Sequence, residues 1–333
     1  MARIALDAMG GDHAPQAPIG AALLAGVALG TDHILQLVGQ EQVIRDELAK
    51  QLVGASPEAQ AAAARFEIID APEVILMTDK PSVAIRGKPN NSMSIGLRLQ
   101  TDGKSDAFVS AGNTGAQMAA SVFVLRLHEG VQRPAIGTVF PTAGAGVVVL
   151  DSGANVDCSA QELLTFAQLG HVYAKDILGR ANPAIGLLSV GEEPEKGNAA
   201  VKEAHQLLLK SGLNFIGNVE GRDVPMAECD RGPIDVVVCD GFTGNVLLKF
   251  YEAVPRVLFG MLMKGGVSKE QIANSVSALD YAKTGGAPLL GVKGVSIICH
   301  GKSNPEALMN GIKAGLRAFE SGMNNHIGQT VSS

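Results

Sequence analysis

The stretch Arg3-Ile4-Ala5-Leu6-Asp7-Ala8-Met9-Gly10-Gly11-Asp12-His13-Ala14-Pro15 decides the fold. An apolar run stops at a small, polar, glycine-rich turn, and a helix-like stretch from Ile19 to Leu29 follows. The same order of events recurs along the chain. Phe108-Val109 lead into Ser110-Ala111-Gly112-Asn113-Thr114-Gly115, and Val147 to Leu150 lead into Asp151-Ser152-Gly153-Ala154-Asn155. Ile185 to Leu188 open onto Ser189-Val190-Gly191-Glu192-Glu193. Val236 to Val238 reach Cys239-Asp240-Gly241-Phe242-Thr243-Gly244-Asn245, and Ser296 to Ile298 reach Cys299-His300-Gly301-Lys302-Ser303. Short β-rich runs alternating with helices imply an α/β fold built on βαβ units around a largely parallel sheet. Ligands of such sheets bind at the carboxyl ends of the strands, where helix N-termini present free N–H groups and the positive end of a dipole. The polar residues sit at that end of each run, and glycine lets backbone approach an anion closely. The pattern points to an enzyme that handles phosphate.

The 333 residues are enough to bury a large core, as one α/β domain over residues 1–323 or as two interlocked lobes, with a polar and frayed tail at 324–333. A hydrophobic share of 46 %, 40 glycines and no tryptophan describe packed aliphatic strands and tight loops. The net charge of -6 argues against nucleic acid as the main partner, because phosphate-backbone binding needs clustered Lys and Arg. Cys158, Cys229, Cys239 and Cys299 form no CxxC pair, so zinc and redox motifs lack support and reduced thiols in a cytoplasmic protein are expected. Met1 to Leu6 lack the basic segment of a signal peptide.

Further elements follow from periodicity and caps. Strands are expected at 34–38, 66–69 and 215–219, and helices at 41–53, 57–64 with Ser56 as its cap, 92–99, 116–127, 199–209 and 305–319. Ser159-x-x-Glu162 is a capping box opening a helix. Ala135 to Phe140 and Val147 to Leu150 read as a hairpin about Pro141-Thr142-Ala143-Gly144. Val246 to Met263 is the longest apolar helical segment, with Leu247, Phe250, Tyr251, Val254, Leu258, Met261 and Leu262 on one face and Lys249, Arg256 and Lys264 opposite. That face suits a dimer core or an anionic membrane surface.

Several signatures are absent. Gly301-Lys302-Ser303 resembles the end of a P-loop, but Ser296 stands where the first glycine belongs. There is no GxSxG, HExxH, or GxGxxG between strand and helix, which removes support from nucleotide hydrolysis, serine hydrolase and Rossmann dehydrogenase chemistry.

The opening Asp7-Ala8-Met9-Gly10-Gly11-Asp12-His13-Ala14-Pro15 resembles the first signature of the acyl-ACP:phosphate acyltransferases, the PlsX family of bacterial glycerolipid synthesis. The likeness continues in order through Pro81-Ser82-Val83-Ala84-Ile85-Arg86-Gly87-Lys88-Pro89-Asn90-Asn91-Ser92-Met93, the two loops after Val109 and Leu150, Gly191-Glu192-Glu193-Pro194-Glu195-Lys196-Gly197-Asn198, Asp240 to Val246 and His300 to Ser303. One departure is Tyr251-Glu252-Ala253, where the family has Glu-Gly after the aromatic. The resemblance implies a three-layer αβα fold with a mixed, largely parallel sheet like that of isocitrate and isopropylmalate dehydrogenases. It also implies a homodimer, peripheral association with the membrane, and delivery of acyl phosphate to a membrane glycerol-3-phosphate acyltransferase. The implied reaction joins acyl-ACP (acyl carrier protein) and inorganic phosphate to give acyl phosphate and free ACP, without metal or other cofactor.

The residues make chemical sense of that reaction. Phosphate is itself the nucleophile, so no activated Ser or Cys is needed; the protein holds an anion against the thioester carbon and stabilises the oxyanion. His13, His300, Lys302 and Asp7 are the expected catalytic groups, an imidazole protonating the leaving sulfur or relaying a proton from phosphate. Gly10, Gly11, Asn113, Thr114, Gly115, Asn155, Lys196, Asn198, Gly244, Asn245 and Ser303 are expected around phosphate or acyl phosphate. Arg86 and Lys88 are expected to face the acidic carrier. Bland readings compete: Asp12, Asn155 and Asn198 as helix caps, and Lys196 in an ion pair with its acidic neighbours. Three other functions compete as well. They are a phosphotransacetylase using acyl-CoA, a metal- and NAD-dependent decarboxylating dehydrogenase of the same fold, for which Arg86 is too isolated, and a phospho-ligand-binding regulatory module.

Overall fold

Strands covered on both faces read as unbroken apolar runs, and the runs picked out above are strands. A computed structural model describes residues 1–142, 146–276 and 285–332. Along the chain come β1 (Ala2–Asp7), α1 (Gln16–Ala28), β2 (His33–Gly39), α2 (Glu41–Leu52), α3 (Pro57–Ala63), β3 (Glu67–Asp70), α4 (Pro81–Gly87), α5 (Ser92–Thr101), β4 (Ala107–Ser110) and α6 (Thr114–Leu125). There follow β5 (Ala135–Ile136), β6 (Thr138–Phe140), β7 (Val147–Leu150), α7 (Ala160–Asp176), β8 (Ile185–Leu188), α8 (Ala199–Leu209), β9 (Phe215–Val219), β10 (Glu228–Cys229), β11 (Gly232–Pro233) and β12 (Val236–Val238). The chain closes with α9 (Gly241–Lys264), α10 (Lys269–Val276), β13 (Ala287–Leu290), β14 (Ser296–Ile298), α11 (Pro305–Glu320) and α12 (Met323–Val331). Two units emerge: Met1–Leu127 with Ala282–Asn324, and His128–Tyr281 with Asn325–Ser333.

In the first unit the strand order is β3-β2-β1-β4-β14-β13. Every pairing in it is parallel except that of β13 with β14. Ala5 lies opposite Gln36 on one side and Phe108 on the other. Helix α1 packs on α11 and α5 on α6, over a core that includes the fully buried Ile4, Leu6, Leu37, Leu97 and Phe108. Gly96 on α5 is required there, since a Cβ would overlap the Phe108 ring. Successive strands run outward from β1 through β2 to β3, then the order reverses at β4. The β1/β4 crevice is therefore the topological switch point, where α/β sheets bind ligands.

In the second unit the order is β6-β7-β12-β8-β9, with β6 antiparallel to β7 and the rest parallel; β10 and β11 form a separate hairpin. Phe140, Val149, Val219, Ile234 and Val237 fill its core. Helix α7 opens on the capping box expected from Ser159 and Glu162.

Several expectations change. Helix α1 begins at Gln16, and its N-cap position is Pro15 with no side-chain cap, so Asp12 does not cap it. The basic stretch after Pro81 contains a short helix, α4. Gly241 to Asn245, read as loop, form the first turn of α9, because Asp240 caps the Thr243 N–H at 2.8 Å and fixes the helix start five residues earlier than the apolar pattern does. The antiparallel β6/β7 pair keeps the expected hairpin over Thr138–Phe140 only, since Ala135–Ile136 form the separate strand β5; Ala143 and Gly144 of the turn lie outside the described residues. The supposed frayed tail is the helix α12, held by Met323 and Ile327, 3 % and 2 % exposed.

Candidate active site

Three strand ends of the first unit place their loops together. The Asp7 carboxylate turns back into its own loop: Oδ1 accepts the Met9 N–H at 3.0 Å and Oδ2 the Ser110 hydroxyl at 2.6 Å. Ser110 Oγ in turn accepts the Gly112 N–H at 3.0 Å, so one buried carboxylate ties the β1 loop to the β4 loop. Burial pushes the Asp7 carboxyl above its usual range, against opposing hydrogen bonds from Ser110, Ser92, Met9 and Gly10. The β14 loop joins through the Asp12 N–H, which donates to the Gly301 carbonyl at 2.7 Å. Gly10 has no room for a Cβ between the Asp7 carboxylate and Gly112 N, and Gly11 sits at φ +106° with Ala111 and Gly301 on either side. The glycine pair is thus a packing requirement of this junction.

Exposed polar groups rise from that floor. His13, His300, Lys302 and Thr114 are exposed, and Ser303 is half-buried. His300 Nδ1 accepts the Lys302 N–H at 3.1 Å, so the neutral ring carries its hydrogen on Nε2, directed away from its own loop. Lys302 has no ion-pair partner among the described residues. Asn113 caps α6 by accepting the Ala116 N–H at 3.0 Å, and its amide donates to the carbonyls of Met77 and Asp79 at 3.0 and 3.1 Å. The Gln117 N–H donates to the Asn113 carbonyl, so Thr114 and Gly115 are left with the N–H groups that the first turn of a helix does not pair internally.

The second unit has its own cluster at strand carboxyl ends. Asp151 is fully buried and collects donors: Oδ1 accepts from the N–H groups of Ile136, Gly153 and Ala154 at 3.0, 3.2 and 3.0 Å. Oδ2 accepts from the Asn155 N–H at 2.6 Å and its amide at 3.0 Å. Burial raises this carboxyl too, and the hydrogen bonds lower it. The Gly241 N–H donates to the Asn155 carbonyl at 2.7 Å, and a side chain on Gly244 would overlap the Asp151 carbonyl. Asn245 is exposed and lies over Gly153. The β8 loop is pinned by the buried Asn218, whose amide donates to the Glu193 carbonyl at 2.8 Å while its oxygen meets His205 Nδ1 at 2.9 Å.

Residues 2–326 match a family model described as a fatty acid synthesis protein. A phosphate acyltransferase of Desulforamulus reducens is 44 % identical over 97 % of this chain and 95 % of its own length. One of Syntrophomonas wolfei is 45 % identical over 93 % and 92 %. The chain belongs to the phosphate acyltransferase family. Among solved structures it is similar to the EutD phosphotransacetylase of Staphylococcus aureus, with TM-score 0.63 at 15 % identity over 96 % of this chain and 94 % of that one. It is also similar to a phosphotransacetylase of Streptococcus pyogenes, with TM-score 0.61 at 17 % identity over 100 % and 94 %. These two likenesses are of fold.

Within this phosphate acyltransferase family member, the expected site residues divide between the units. Asp7, Gly10, Gly11, His13, Arg86, Lys88, Asn113, Thr114, Gly115, His300, Lys302 and Ser303 belong to the first; Asn155, Lys196, Asn198, Gly244 and Asn245 belong to the second. Some side chains are committed elsewhere. Asp7 is 1 % exposed, with its carboxylate engaged by the Met9 N–H and the Ser110 hydroxyl. The Asn155 amide is spent on Asp151 and the Pro134 carbonyl, and Asn198 caps α8 by accepting the Val201 N–H. Lys88 Nζ is 2.6 Å from Asp79, whereas Arg86 is exposed. Lys196 is exposed and outside the ion pairs of Glu192, which go to Arg222 and Arg231. Burial pushes the Cys158 and Cys299 thiols up to about 12 and Cys239 well above its ordinary value, which makes these three poor nucleophiles. Sequence reasoning missed Ser110, Asp151 and Asn218 as organisers. The one available signal was the repeated Leu-Asp at the ends of two apolar runs, Leu6-Asp7 and Leu150-Asp151.

Proposed function

We propose that the chain transfers an acyl group from acyl-ACP to inorganic phosphate. The observation that carries this is the cluster at the β1/β4 switch point, where a glycine-walled floor bears exposed His13, His300, Lys302 and the open end of α6. Lys302 and the α6 N-terminus hold the phosphate dianion. One phosphate oxygen attacks the thioester carbon, the carbonyl oxygen gains charge, and the carbon–sulfur bond breaks. The proton carried by hydrogen phosphate passes through an imidazole to the leaving sulfur, giving acyl phosphate and a neutral thiol. His13 suits that relay, accepting the phosphate proton and passing it on as an imidazolium, while the Nε2–H of a neutral His300 can hydrogen-bond the developing oxyanion without giving up its proton.

The finer fold assignment, to the isocitrate and isopropylmalate dehydrogenase architecture, is part of this reading and is supported by the switch-point topology. Turnover is expected to require free phosphate and to survive EDTA, measured as hydroxylamine-trapped acyl phosphate. Full thioester cleavage without phosphate, or complete loss on chelation, overturns the assignment. Acetyl-CoA replacing acyl-ACP at equal efficiency favours the phosphotransacetylase reading.

A cytoplasmic homodimer resting on the membrane surface belongs to the same reading, supported by α9. Leu247, Leu248 and Tyr251 pack on the second unit's core, whereas Phe242, Val246, Phe250, Val257 and Met261 are each more than half exposed at helical spacing. The apolar face expected from the sequence is thus two faces, and the outer one suits a second copy. No helix among the described residues is long and apolar enough to cross a membrane. Phe250→Asp is expected to halve the mass measured by light scattering, and an unchanged dimer mass removes α9 from the interface.

A further inference from the structure

We propose that Leu76 and Met77 receive the first methylenes of the acyl chain, an inference that rests on the acyltransferase reading above. The segment around them has no regular structure yet is held tightly. Lys88 Nζ donates to the Val74 carbonyl at 2.8 Å and to Asp79 Oδ2 at 2.6 Å. The same Asp79 oxygen accepts the Leu76 N–H at 2.9 Å, and Asn113 donates to the Met77 and Asp79 carbonyls. Ile75 anchors the segment in the core at 5 % exposure. Beside exposed Thr78 and Lys80 this strapping presents two adjacent apolar side chains: Leu76 is 56 % exposed and Met77 44 %. Exposed loop tips are ordinarily polar and mobile, so a pinned apolar tip needs a use.

Its position supplies one. The Met77 methyl packs over Gly301, where a Cβ would come within 2.9 Å of it, and Gly301 stands between His300 and Lys302. Asn113, which holds the Met77 carbonyl, also caps the helix whose open end faces phosphate. A thioester whose carbonyl carbon meets phosphate at these loops leads its chain away across the adjoining surface. Within this unit that surface begins at the Met77 thioether, which adapts its shape to an alkyl chain.

The test is the ratio of kcat/KM for hexadecanoyl-ACP to that for acetyl-ACP, whose acyl group has no methylene to place against Leu76 and Met77, with folding followed by circular dichroism. Covering one methylene is worth about fourfold in binding. Met77→Ser is therefore expected to lower the ratio about tenfold, Leu76→Ser to lower it in the same direction, and Met77→Leu to restore it. Val53→Ser, which removes an apolar group 84 % exposed on another part of the surface, is expected to leave the ratio alone. A ratio unchanged in both serine variants overturns the proposal. Equal losses at both chain lengths also overturn it and make the tip a contact for the carrier protein. A wild-type protein that forms no acyl phosphate from either substrate overturns the acyltransferase reading itself.

Discussion

Asp151→Ala is expected to be the most damaging single substitution outside the hydrophobic core. The buried carboxylate accepts from the N–H groups of Ile136, Gly153, Ala154 and Asn155 and from the Asn155 amide. An alanine leaves those donors in a dry interior, each costing about 1–3 kcal/mol when unsatisfied. Some relax toward water, so the net loss is expected at roughly 5 kcal/mol, in the range where single substitutions unfold domains. Insolubility, or a melting midpoint lowered by roughly 10 °C or more, is the expected result. Asp151→Asn retains one acceptor oxygen but sets an amide against the Asn155 donors, so it should fall between alanine and wild type. A midpoint for Asp151→Ala within about 2 °C of wild type would mean that the donors find other acceptors, and the organising role would be lost.

The largest effect on turnover is expected from His13→Ala and Lys302→Ala. Both side chains are exposed on the same loop floor, and neither makes an ion pair among the described residues, so their removal leaves no buried group stranded. Stability should hardly change. Loss of acid–base assistance or of a fixed positive charge at the developing oxyanion slows reactions by about a hundredfold to ten-thousandfold, so a loss of at least about tenfold is expected from each. The two should separate kinetically: Lys302→Ala raises the phosphate KM, and His13→Ala lowers kcat. His171→Ala, in the second unit, is the control and should be near neutral. If His171 matters and His13 does not, the site is misplaced.

Which elements the sequence disclosed follows from what burial does to composition. β1, β4, β7, β8, β12 and β14 are covered on both faces and so carry runs of Ile, Leu and Val that stand out without an alignment. β13 was not legible: Pro288 interrupts it and only four residues belong to it. The start of α9 was hidden by Gly241 and Gly244, poor helix formers that the close approach to Asp151 and Asn155 requires. The site divides the same way. Exposed His13, His300 and Lys302 are chemistry-bearing residues in loops, which sequence alone can nominate. That Asp7 faces inward was not legible, since its partner Ser110 stands 103 positions away. The commitment of Asn113 to the carbonyls of Met77 and Asp79 was invisible for the same reason.

The division of the chain has a consequence for its synthesis. Neither unit is one contiguous stretch: the first is interrupted after Leu127 and resumes at Ala282, and the second recovers its last residues only from Asn325 onward. A single cut therefore cannot excise either unit whole, and neither can be exchanged between proteins as a cassette. As the chain leaves the ribosome, Phe108 of β4 is made long before its partner Ser296 of β14. Until then β4 is an open strand edge made of residues that are all buried in the finished protein. Such an edge invites pairing with other chains. The nascent protein is thus most prone to aggregate during the interval in which the second unit is being translated.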